Sequence, residues 1–256
     1  MKSLIRLRRH SKPEYRLPFN DTDFEYDALN KISWIKGSDY KIRLSAASSG
    51  YQSVLPLSLI TRFLSDLVLD NANKEDLSIK EKKQIEKEVN KVMNDKSLTD
   101  GVKFAMLRNI SSRFKYSCFV NIVEEMELNL YPESQRSVLF DLLSYANKIE
   151  LNRLVLTTHS PYVINYLTLA AKAFLLTQKV SANETLQERV KEVVPADSAI
   201  DPARLRIYEL KDGGVFRLST YEGLPSDENF LNIQLGVTNE LFDQLLEIEQ
   251  EFDYKN

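Results

Sequence analysis

At 256 residues, 43% hydrophobic and 28% charged, the chain can bury a core as one domain, or as one domain with a helical appendage. A formal charge of −3 excludes a globally basic nucleic-acid binder, so any such contact has to be a local patch. The lone cysteine, Cys118, excludes an intrachain disulfide and fits a reducing cytoplasm, and no apolar run approaches the ~20 residues of a membrane span.

Residues 1–30 are polar, with Pro13, Pro18 and Asn20-Asp21-Thr22-Asp23, and read as an extended, weakly ordered lead-in. Met1 to His10 has the charge of a signal-peptide start but no apolar core after it. Arg6, Arg8, Arg9 and Lys12 read as a solvated basic tail, with a contact to DNA or an acidic partner as the alternative. Alternation in 31–35 and 40–44, on either side of Lys36-Gly37-Ser38-Asp39, predicts a hairpin. Leu44-Ser45-Ala46-Ala47-Ser48-Ser49-Gly50-Tyr51-Gln52-Ser53 then opens a helical pattern from Val54 to Leu69. Small residues at a helix start let backbone N–H groups approach a phosphate, although Ser and Gly are also ordinary cap residues.

From Asp70 to Asp100 the chain is charge-dense, with Leu77, Ile79, Ile85, Val89 and Val92 at three- and four-residue spacing, which predicts an amphipathic helix with a solvated face. A short helix is expected from Phe104 to Phe114. Cys118 to Val123 reads as a buried strand of a parallel sheet, and it ends on Glu124 and Glu125. A helix follows Pro132, with Leu139, Leu142, Leu143, Ala146 and Ile149 in one stripe. Leu154-Val155-Leu156 is a second strand, running into Thr157-Thr158-His159-Ser160-Pro161. Tyr162 to Leu169 reads as a helix, Ala173 to Thr177 as a third strand and Val180 to Asp201 as a mobile loop with some helix. A hairpin, Leu205 to Leu210 with Val215 to Ser219, precedes a closing helix with Leu241, Phe242, Leu245, Leu246 and Ile248 along one side.

An open parallel sheet collects its polar chemistry at the carboxyl ends of its strands, which is where this order puts Glu124, Glu125 and His159. One acid can hold Mg²⁺ through water, a second can polarise an attacking water, and a neutral His can hydrogen-bond a γ-phosphate. Two acids after a strand can equally cap the next turn.

Val123-Glu124-Glu125-Met126-Glu127-Leu128-Asn129-Leu130-Tyr131-Pro132-Glu133-Ser134-Gln135 resembles the Walker B and D-loop segment (E-E-P-E-x-x-L-H-P-x-x-Q) of ABC-type ATPases in the AAA family ATPase group, which includes overcoming-lysogenisation-defect-like and RecF/SMC-like proteins. Thr157 to Pro161 is similar to their switch-histidine motif, and Ser49-Gly50-Tyr51-Gln52 to their signature motif in its S-S-G-x-Q form. Met126 stands where the family has Pro, and Tyr131 where it has His; neither change removes an acid.

The resemblance implies ATP and Mg²⁺ as cofactors, Glu124 on the metal side, Glu125 as general base and His159 as switch residue. Ser49, Gly50 and Gln52 would contact ATP held by an opposing subunit, which implies a dimer. It implies an α/β fold: a P-loop NTPase-like three-layer core with parallel strands, a helical signature subdomain and antiparallel hairpins. Residues 31–256 would be a partial head, with about 44–117 as signature subdomain and 118–256 as the Walker B and switch-His core.

None of the seven glycines stands in G-x-x-x-x-G-K-[ST], so the phosphate cradle has to come from another segment or chain. Three functions follow. One is a partial ABC-type ATPase working in a homodimer or with a Walker A-bearing chain, cytoplasmic, without membrane contact and coupled to DNA or to a defence or repair effector. The others are a non-catalytic interaction subunit and a metal-dependent nuclease built on Glu124, Glu125 and Glu127.

Overall fold

A computed structural model describes residues 14–73, 79–95, 97–113 and 117–254. The basic residues Arg6, Arg8, Arg9 and Lys12, and Leu77 of the amphipathic stretch, lie outside the described residues. The architecture is mixed α/β, with small antiparallel sheets and one parallel strand pair.

The first unit is a four-stranded antiparallel meander: β1 (Glu14–Arg16), β2 (Asp23–Asp27), β3 (Ile32–Lys36) and β4 (Lys41–Arg43). Its register aligns Tyr15, Phe24, Ile35 and Ile42 in one cross-strand row. That row faces the core, where Ile35 is fully buried. Period-2 alternation sends Arg16, Asp23, Lys36 and Lys41 to the other face. The hairpin expected over 31–44 is present. Residues 14–27 are not a weakly ordered lead-in but two paired strands, because Tyr15, Leu17, Phe19 and Phe24 are buried in the core and Thr22 O accepts the Leu17 N–H at 2.8 Å.

A 3₁₀ turn at Leu44–Ala46 leads into α1 (Ser49–Asn73). Its buried stripe, Tyr51, Val54, Leu55, Ser58, Thr61, Ser65 and Val68, has helical spacing and lies against α4 (Pro132–Asn147). Contrary to the sequence expectation, Ser49–Asp70 is long and apolar enough to cross a membrane by length and composition; here its stripe packs into the protein. The helices α2 (Ile79–Met93) and α3 (Asp100–Arg113) pack as a hairpin, with Lys103 Nζ donating to Met93 O at 3.2 Å.

The central layer is α4, whose Val138, Leu139, Phe140, Leu142 and Leu143 are all buried. It sits between α1 and α5 (Pro161–Lys179) and connects β5 (Val120–Glu124) to β6 (Arg153–Thr157), which pair in parallel. Residues 173–177 are not a third strand; they are the last turns of α5. Val163, Ala170, Ala171 and Ala173 are buried along that one helix, and alanine is the best helix former. Nor is β5 buried on both faces. Val123 packs into the core, but Val120 and Ile122 point outward and Ile122 is 68% exposed.

The 180–201 stretch, expected to be a mobile loop with some helix, does contain a helix, α6 (Glu184–Val193), followed by a 3₁₀ turn. Asn183 caps α6, Val194 and Ile200 are in the core, and Ser198 Oγ donates to Phe140 O at 2.9 Å. Two hairpins follow: β7 (Tyr208–Lys211) with β8 (Gly214–Arg217), and β9 (Thr220–Tyr221) with β10 (Leu224–Pro225). Asp212-Gly213 and Glu222-Gly223 both have positive φ at their two central residues, the backbone of tight two-residue hairpin loops. The chain closes on α7 (Phe230–Asp253).

Candidate functional site

The site is built where β5 and β6 end side by side. Glu124 lies opposite Thr157 as the last register pair, and Glu125 N still donates to Thr157 O at 2.9 Å. Glu125 then turns the chain with φ of 48°, a left-handed conformation that is uncommon for a side chain of its bulk. Two further turns follow, Leu128 N to Glu125 O and Leu130 N to Glu127 O, both at 3.0 Å, and Asn129 also has positive φ. Tyr131 returns to extended backbone, and Pro132 at the first helical position starts α4.

On the neighbouring strand, β6 runs through Thr158 and His159 to Ser160, and Pro161 starts α5 in the same way. The His159 imidazole is 84% exposed, with Nε2 3.5 Å from Glu125 Oε1. Its backbone N–H donates to Glu127 Oε1 at 2.7 Å, while Glu127 Oε2 is buried without a hydrogen-bond partner among the described residues. Glu124 is exposed and, by strand alternation, shares the outward face with Val120 and Ile122 rather than the turn that brings Glu125 to His159. Two of the three rim residues are therefore together, and the third lies on the open face of the sheet.

The sequence assigns no role to Gln135, yet it ties the two loops together. Its Nε2 donates to Leu130 O at 3.0 Å, and its Oε1 accepts from Ser160 Oγ at 2.7 Å; both side chains are buried. Its signal in the sequence is its place at the end of the E-E-M-E segment. Asn121 is a second such case. A buried Asn in the middle of an apolar strand needs a partner, and its Nδ2 donates to Thr61 Oγ1 of α1 at 2.9 Å.

Ser49 and Gly50 form the first turn of α1, directly beside the loop that follows the acids. A Cβ at Gly50 would lie 2.8 Å from Asn129 O and 3.1 Å from a Leu130 methyl, so only glycine permits this approach. Ser49 is exposed. Gln52 Nε2 donates to Ala47 O at 2.9 Å, committing that side chain to the turn before the helix. Among the described residues no hydrogen bond or ion pair joins Ser49, Gly50 or Gln52 to Glu124, Glu125 or His159.

As a divalent-cation centre the rim offers separate carboxylates. Among the described residues no group of three or more His, Cys, Asp or Glu could hold a metal ion. A Mg²⁺ ion bound together with substrate phosphates needs only one or two carboxylates, the rest of its shell being water and phosphate.

Away from the rim, a groove of about 640 Å³ between α4 and the end of α6 with the segment after it is lined by Arg136, Asp141, Glu192 and Asp197. Burial raises the Asp141 carboxyl to about 6, with Lys148 opposing and Asp197 adding to the shift, and its Oδ2 has no hydrogen-bond partner among the described residues. Burial also raises Tyr15 and Tyr145, with Asp141 adding to both.

The chain matches no family model, no curated protein and no solved structure.

Proposed function

We propose that this chain supplies the signature, Walker B and switch-His parts of an ABC-type ATPase site, with the phosphate cradle coming from a lobe that bears G-x-x-x-x-G-K-[ST]. One observation carries the reading: Glu125 and His159 face each other at 3.5 Å on the carboxyl ends of adjacent parallel strands. In that role Glu125 orients and deprotonates the attacking water, and His159 contacts the γ-phosphate or that water. Glu127 fixes the backbone of His159, and Glu124 offers its carboxylate on the outward face. Bound Mg²⁺ would neutralise charge on the transferring phosphoryl group.

The outward face of β5–β6 supports a missing lobe. Parallel sheets are found covered on both faces, and this one leaves Val120, Ile122 and Val155 bare. A P-loop lobe laid there would extend the pair into a three-layer core and reach Glu124. Ser49, exposed at the start of α1, is then the signature residue open to ATP on an opposing subunit, while Gly50 is buried against Asn129, and the lone thiol fits a cytoplasmic setting.

Alone, the chain should bind ATP·Mg²⁺ weakly and hydrolyse it negligibly. Co-expressed with a P-loop polypeptide that co-purifies with it, it should dimerise on ATP addition and turn over. In that complex Glu125→Gln should keep ATP binding and slow hydrolysis by about 10²–10⁴. Tight ATP binding by the isolated chain in calorimetry would overturn the split-site reading, and unchanged turnover in Glu125→Gln would move the base elsewhere, to Glu127.

A further inference from the structure

The helix α7 is held at its base and bare beyond it. Asn229, buried, caps the first turn by accepting from Asn232 N at 3.0 Å, and Glu209 of β7 accepts from Phe230 N at 2.6 Å. Asn232 Nδ2 also reaches Asn165 of α5 at 3.4 Å. From Thr238 to Phe252 every residue is exposed, so about 20 Å of helix projects from a fixed mount.

The projecting part is patterned for contact rather than for water. Leu241, Leu245 and Ile248 are spaced four and three apart, the spacing of a coiled-coil seam, and Leu245 is 63% exposed. Phe242 and Leu246 widen the stripe on one side. Helical geometry puts Glu240 and Glu251 along one border of the seam, and Glu249 on its other flank, between Leu245 and the Phe242–Leu246 side. The whole helix contains no Lys, Arg or His.

That charge pattern selects the occupant. A second copy laid on the same stripe would bring carboxylates from both helices together with no cation in either, which weakens pairing. An anionic membrane surface would repel the same borders. An apolar seam edged with Lys or Arg answers both the stripe and its borders. We propose that the distal half of α7 is a docking helix for a protein segment of that chemistry: an amphipathic helix whose apolar seam is bordered by Lys or Arg.

The probe is a labelled synthetic helix of about three heptads with a leucine seam and Lys at the flanking positions, titrated into the full chain by fluorescence anisotropy. A control peptide keeps the seam and carries Glu at the flanks. The Lys-flanked peptide should bind, weaken as salt is raised, and weaken about tenfold with Leu245→Asp and severalfold with Glu249→Lys/Glu251→Lys. The Glu-flanked peptide should bind at least tenfold more weakly. All three substituted positions are exposed, and circular dichroism of each variant checks that the helix persists.

Absence of binding, equal binding of both peptides, or binding that survives Leu245→Asp would overturn the proposal; the last would mean charge attraction without a seam. Sedimentation of the chain alone completes the test. A dimer that Leu245→Asp dissolves and high salt leaves intact would identify a second copy as the occupant instead.

Discussion

The outward face of the β1–β4 sheet is tiled by charge, whereas the outward face of the β5–β6 pair is aliphatic at its centre, with Arg153 at one end and Glu124 and Thr157 at the other. On the first, Lys41 reaches Glu25 at 2.8 Å, Arg16 reaches Asp23 at 3.3 Å, and Lys41 and Arg43 lie over the Trp34 ring. On the second stand Val120, Ile122 and Val155, with Glu124 at the rim. Both sheets send an apolar row into the same core, Phe24 and Ile35 from one and Val123 from the other. What separates them is the far side. Exposed ion pairs add only about 0–1 kcal/mol each, so the charges on β1–β4 act chiefly to make that face compatible with water. The centre of the β5–β6 face, Ile122 beside Val155, has no such finish, and the same face bears Glu124 at its end.

Truncation is the most direct way to break this contrast. Leu139→Ala, at a fully buried position of α4, should cost about 2–5 kcal/mol in urea unfolding, while Ile122→Ala on the bare face should cost about 0.5 kcal/mol or less. Equal costs would mean that the β5–β6 face is not bare in solution. With a P-loop lobe bound, the Ile122 variant should begin to lose stability or lobe affinity.

A smaller effect separates the finished core from its own flaw. The Asp141 carboxyl sits at about 6 in the folded chain against 3.8 in the unfolded one, so the folded state holds its proton longer. Stability therefore carries no penalty below about pH 4, falls as pH rises through this window, and bears the full penalty above about pH 6, up to about 3 kcal/mol. Asp141→Asn should stabilise at pH 8 and leave pH 3 unchanged, read from thermal midpoints at both values. A gain of the same size at both would assign it to packing.

The smallest effect sharpens the site side of the comparison. Glu125 keeps a left-handed backbone that Asn tolerates far better, so Glu125→Asn should stabilise the chain by up to about 1 kcal/mol while removing the carboxylate we propose as general base. A loss of stability would show that the Glu125–His159 contact outweighs the backbone term.

The 31–44 hairpin was readable because alternation brackets a glycine turn, and α4 because its leucines recur at helical spacing after a proline. β1 was not readable: at three residues between two prolines it has too little period to register, and only its cross-strand partners Phe24, Ile35 and Ile42 reveal Tyr15 as core. Ala173 to Thr177 is apolar without a period of its own, and such a run is equally a buried strand or a helix segment until the alanines upstream are joined to it. At the site, the acid pair and His159 were legible as residue types in order. The hold of Glu127 on the His159 backbone was not, because it spans 32 residues and depends on two strand ends being neighbours.

The Gln135 amide has a mechanical consequence. One planar group accepts from Ser160 on one side and donates to Leu130 on the other, so neither loop can swing without turning the plane that holds its neighbour. The segment after the acids and the segment after His159 therefore share one hinge pin. A push applied at Asn129, where α1 abuts through Gly50, would bear on the Gln135 amide through Leu130 and from there on Ser160, the residue after His159.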